Sequence, residues 1–179
     1  MRFEGSVGGS VILAQASEGG FDVAGLAPGR CTDRRLRRAL LATNFQREAG
    51  RISFCGSSSA YPLARGTQDR LSWMLQLAAP ASAEPERLAA GSTIAIAIVG
   101  VRGEPDVWLL RSVGSDDVST DSGSVAAVKL IRESRGLYDT GVEVWLDPSH
   151  HYLPVRVLFR SGAEAPTLEL VLQQLEFEG

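Results

Sequence analysis

Short apolar or alternating runs, each closed by glycine, proline or a polar cluster, recur along almost the whole chain and leave few folds open. Such punctuation marks sequential β-strands joined by short turns. Val11 to Ala16 and Phe21 to Leu26 flank Gly19-Gly20, which reads as a hairpin turn. Ala27-Pro28-Gly29 reads as a second turn, leading into Arg30 to Arg37. Leu41 to Gln46 and Arg51 to Cys55 follow across Glu48-Ala49-Gly50, and the alternation within Arg51 to Cys55 is that of a half-buried strand. Gly56 to Gly66 reads as a loop. Further on, Thr93 to Val99, Asp106 to Val113, Ser124 to Arg132, Tyr138 to Asp147, Leu153 to Arg160 and Thr167 to Phe177 read as a meander, with a polar turn from Ser115 to Gly123.

Between these two series the period changes. Thr67 to Ala79 is patterned as a helix, with Thr67 as N-cap, Asp69 in the first turn and Pro80 as terminator. Leu71, Met74, Leu75 and Ala78 form one apolar face and Trp73 and Leu77 another, leaving only Ser72 and Gln76 as a polar stripe. A helix with so thin a wet side is enclosed on most of its circumference. Ala81 to Gly91 reads as a linker or a short second helical turn around Glu84 to Leu88. About eleven strands with short connections favour antiparallel pairing and must curl or close to protect their edges. The expectation is a mostly β fold: an antiparallel, strongly curved sheet or open β-barrel with one main inserted helix, in a single β-rich domain over residues 1–179.

A chain of 179 residues is long enough to bury a core without metal or disulfides. Its 18 basic and 21 acidic side chains give a net charge of −3, which argues against a nucleic-acid partner. No apolar run reaches the length of a membrane helix; the nearest, Leu71 to Ala83, is too short. Met1 to Gly5 lacks a leader-like apolar run, so a cytoplasmic chain and one whose leader precedes Met1 both stay open.

Motifs for chemistry are few. His150 and His151 are adjacent, so their side chains diverge, and Asp147 alone is a thin third ligand; no metal and no cofactor are expected. No G-x-S-x-G elbow and no phosphate-binding glycine loop occur. Asp116, Asp117 and Asp121 lack calcium-loop spacing and read as a hairpin tip. Cys31 and Cys55 are either a disulfide or two small strand residues that never meet. Arg34, Arg35, Arg37 and Arg38 put four cations within five residues, a surface for anionic headgroups, a polyanion or an acidic partner, or else a charged hairpin end.

The segments Gln68 to Leu77, Val144 to Pro148 and Leu153 to Val157, together with Gly25-Leu26-Ala27-Pro28 and Tyr138-Asp139-Thr140, resemble the "domain of unknown function 3108" family of bacterial envelope proteins. The likeness extends over most of the chain from about Val11 and is most specific in the tryptophan–proline unit at 145 to 157. The resemblance implies a periplasmic or envelope-associated protein, exported or anchored through an N-terminal segment, with a curved sheet like those of periplasmic lipoprotein carriers. It supplies no catalytic residues. The leading functional expectation is a non-enzymatic envelope domain binding a lipid or other apolar ligand between sheet and helix, lined by Leu71, Trp73, Met74, Leu75, Leu77, Ile96 and Ile98. The alternative is a structural or protein-interaction module with a filled core, binding another envelope protein through a surface such as the arginine cluster.

Overall fold

A computed structural model describes residues 1–120, 123–136, 139–161 and 168–176. The protein is mostly β, with 63% strand in two sheets, one of them curled into a half-barrel. The first sheet runs β1 (Arg2–Val7), β2 (Ser10–Asp22), β3 (Gly25–Arg35), β4 (Leu41–Gln46), β5 (Arg51–Phe54) and β6 (Ser57–Pro62) in chain order. The second runs from β7 (Gln68–Asp69) through β8 (Thr93–Gly100), β9 (Gly103–Thr120), β10 (Gly123–Arg132), β11 (Thr140–Asp147) and β12 (Leu153–Ser161) to β13 (Leu168–Val171). Neighbours in sequence are neighbours in the sheets, as short connections dictate. Every described register is antiparallel except that of β7 with β8, where Gln68 lies opposite Ile98 and Asp69 opposite Val99.

The chain forms two compact units, one of Met1–Gln76 with Ile96–Trp108, the other of Leu77–Ala95 with Leu109–Gly179. In the first, alternate residues of β3, β4 and β5 turn inward, so Cys31, Phe45, Ile52 and Phe54 pack with Val99 of β8. Tyr61 closes on Phe54 edge to face, with ring centroids 5.9 Å apart. In the second, Val118, Ala127, Trp145, Val155 and Leu158 form a cluster with Val125 and Leu172 against it. The opposite face of β11 is buried too, through Val142, Val144 and Leu146. A strand covered on both sides reads as a nearly continuous apolar run.

Several boundaries differ from the sequence reading, each for a physical reason. Thirteen strands are described rather than about eleven: β1, the expected loop at β6 and the expected helix start at β7 all pair with neighbours, while the three strands expected between Val11 and Arg37 are two, β2 and β3. Gly19-Gly20 is not a turn: β2 runs through it and β3 runs through Pro28-Gly29, with Gly19 opposite Pro28 at a bulge. A Cβ on Gly19 would lie 2.3 Å from the Ala27 carbonyl oxygen, so glycine there serves close strand approach. The reversal comes at Asp22 to Gly25, where the Asp22 carboxylate accepts from the Ala24 amide at 2.7 Å and Gly25 has φ +104°. The polar stretch from Ser115 is also strand: β9 continues to Thr120 because Val118 is buried and Asp116 meets Trp145. Tyr138, Asp121, Thr167 and Phe177, named in the expected elements, lie outside the described residues.

Candidate functional site

The segment expected to be helical from Thr67 to Ala79 is helical over 72–83, as α1 (Ser72–Gln76) and α2 (Ala78–Ala83) on either side of Leu77, whose φ of −58° and ψ of −31° keep the helix going. Thr67 is not its cap. Gln68 and Asp69 are drawn into strand pairing, and Asp69 caps the helix instead. Its Oδ1 accepts from the amides of Leu71 at 2.8 Å and Ser72 at 2.9 Å, while Ser72 Oγ accepts from the Asp69 amide at 3.0 Å. That reciprocity is a capping box. The other carboxylate oxygen takes the Ser17 hydroxyl at 2.5 Å. Pro80 does not end the helical segment, which runs on past it to Ala83.

Both residues of the thin polar stripe are used inside. Gln76 accepts from the Leu26 amide and donates to the Ala24 carbonyl, both at 2.7 Å, which ties α1 to the start of β3. Of the expected ligand lining, Leu71, Trp73, Met74, Ile96 and Ile98 are buried in the first unit and Leu77 is buried in the second. Leu75 instead faces solvent at 36% exposure. Trp73 is wholly enclosed, its ring 5.3 Å from that of Trp108 and tilted by 60°, and the Arg70 guanidinium lies 5.0 Å from the Trp108 centroid. Trp108 was placed on its strand by the sequence, but nothing in local pattern announces its meeting with Trp73.

The four arginines lie where β3 ends and the chain turns toward β4, and all are exposed. Arg34 stands opposite Ala14 and Arg35 opposite Leu13, and the Leu36 amide donates to the Ile12 carbonyl at 2.9 Å. The β1–β2 turn, Val7 opposite Ser10, therefore belongs to the same end of the sheet. Arg35 pairs with Asp33 at 3.1 Å, and Asp33 also takes Gln15 at 2.8 Å. Among the described residues no carboxylate pairs with Arg34, Arg37 or Arg38. Arg37 holds a left-handed φ of 60°.

A family model described as "Protein of unknown function (DUF3108)" matches residues 16–170, most of the chain. The protein belongs to this family. No curated protein and no solved structure matches it.

In this DUF3108 protein the tryptophan–proline unit is a strand, a 3-10 turn at Pro148–His150 and a returning strand. Trp145 lies opposite Lys129 on one side and Arg156 on the other. Both cations sit over its ring, 4.6 and 4.7 Å from the centroid, and its indole N–H donates to Asp116 at 2.8 Å. Glu143 bonds Lys129 at 2.7 Å and Arg160 at 2.9 Å; burial pushes its carboxyl up, but these two cations outweigh that and lower it. Asp147 behaves likewise, with burial opposed by Ser149 and His150. His150 Nδ1 contacts both Asp147 at 2.6 Å and Ser149 Oγ at 3.1 Å. A proton relay needs the two partners on different ring nitrogens, so this is the cap of a turn rather than a Ser-His-Asp device. Among the described residues no three potential ligands converge as a metal requires, and no helix is long and apolar enough to cross a membrane. The cysteines are free thiols: Cys55 is exposed, and burial, with Asp69 and Asp33 nearby, pushes Cys31 up to about 12.

Proposed function

We propose that this DUF3108 protein is a non-enzymatic interaction module of the cell envelope that works through its exposed surface. The observation carrying this reading is the use made of Trp73: the residue best suited to line an apolar ligand site is enclosed on all sides and packed against Trp108. Leu71, Met74, Ile96 and Ile98 are likewise spent on packing, at no more than 7% exposure. What is left to meet a partner is the surface, where cations without a paired carboxylate are concentrated at one end of the first sheet. The placement in the envelope rests on what the family resemblance implies.

Native mass spectrometry of gently purified protein tests the reading. A bare chain mass is the expected result. A retained adduct of several hundred daltons, lost in a folded Trp73→Phe or Met74→Gln variant, would instead establish a ligand site between helix and sheet.

A further inference from the structure

The arginine-rich end of the first sheet also carries the densest group of exposed apolar side chains in its unit. Val7 at 67%, Val11 at 47% and Ile12 at 39% flank the β1–β2 turn, and Leu36 at 58% and Leu40 at 45% lie in the β3–β4 connection. The Leu36–Ile12 backbone bond and the pairing of Leu13 with Arg35 hold these two connections side by side. Arg34, Arg37 and Arg38 stand among them without carboxylate partners among the described residues, while Asp33 is buried and engaged with Arg35 and Gln15. Glu4, opposite Ala14 as Arg34 is, is the nearest acid on β1.

We infer that this end of the sheet docks on an anionic lipid bilayer, with the two turns entering the headgroup region and the arginines held by lipid phosphates. The inference rests on the interaction-module reading and names its partner. Cations and apolar groups interleaved on exposed turns are what a bilayer interface accommodates together: phosphates pair with guanidinium groups, and the leucine, isoleucine and valine side chains reach the acyl boundary just below. An acidic protein or a nucleic acid would satisfy the arginines and leave five apolar side chains against water or polar groups. Net charge does not oppose this, because headgroup attraction acts over about one Debye length and so reads the local cluster rather than the whole chain.

The test is flotation of the full chain with vesicles of phosphatidylcholine, alone or with phosphatidylglycerol. Binding to the anionic vesicles only, weakening with salt, is expected. The triple variant Arg34→Glu, Arg37→Glu, Arg38→Glu lowers the partition coefficient by about a hundredfold or more, and Val7→Ser with Leu36→Ser by roughly tenfold. Phe21→Ser, at the far end of the same hairpin and 83% exposed, leaves binding unchanged. All these positions are exposed, and circular dichroism verifies each fold. Equal binding to neutral vesicles, an unaffected triple variant, or binding to polyglutamate without binding to vesicles overturns the inference. The last of these leaves the interaction-module reading standing, whereas a lipid adduct in native mass spectrometry that is lost in the folded Trp73→Phe or Met74→Gln variant removes that reading independently of flotation.

Discussion

A carboxylate sealed from water persists only where donors replace the water, and Asp69 has the Ser17 hydroxyl and two helix amides in that role. Asp69→Ala strips all three at once and is expected to cost about 3 kcal/mol, read from urea unfolding with an unchanged m-value. Asp69→Asn, which keeps one acceptor oxygen, is expected to cost less than half of that. Arg37 presents the converse case. Its left-handed backbone costs a non-glycine residue about 1 kcal/mol, so Arg37→Gly is expected to raise stability slightly in the same assay. The same change removes a cation from the docking end and weakens vesicle binding. Stability and function move in opposite directions there, which a purely structural arginine would not show.

At the scale of elements, the paired glycines of β2 separate two explanations for one dipeptide. Gly19→Ala places a Cβ against backbone on the opposing strand and is expected to destabilise by more than about 2 kcal/mol. A Cβ on Gly20 meets nothing within 4 Å, so Gly20→Ala is expected to be neutral or slightly stabilising in thermal melts. A turn at this dipeptide would make both changes costly. The sequence reading of these glycines as a turn was reasonable locally and failed because a bulge opposite Pro28 is a property of two strands. The same holds at β7, where residues with helical patterning pair with Ile98 and Val99, about thirty positions away. By contrast Arg51–Phe54 and Thr93–Gly100 match the alternation or apolar run that announced them, because one strand's burial pattern is written in its own side chains. The expected lining was legible as buried residues, but whether such residues enclose a ligand or one another depends on distant partners such as Trp108.

For the molecule as a whole, acid is the sharpest probe of its ion pairs. Burial pushes the Asp139 carboxyl up, but hydrogen bonds from Arg132 and from the Arg135 and Thr140 amides, with the Arg132 charge, outweigh it and hold it at about 2 rather than 3.8. The unfolded chain therefore takes up the proton first. The stabilisation is complete above the ordinary value near 3.8 and is lost as pH falls through about 2. Asp139→Asn is expected to flatten the fall of stability across that window and to lower neutral-pH stability by about 1–2 kcal/mol, discounted for partial exposure. Glu143 and Asp147, both lowered, keep part of the slope. The chain passes between the two units after Gln76, Ala95 and Trp108, in the midst of the helical segment, β8 and β9. Synthesis is vectorial, so the first six strands are made before Val99, which completes their apolar cluster. From Pro62 at the end of β6 to Val99 is 37 residues of further translation, an interval that invites chaperone capture and makes early pausing hazardous.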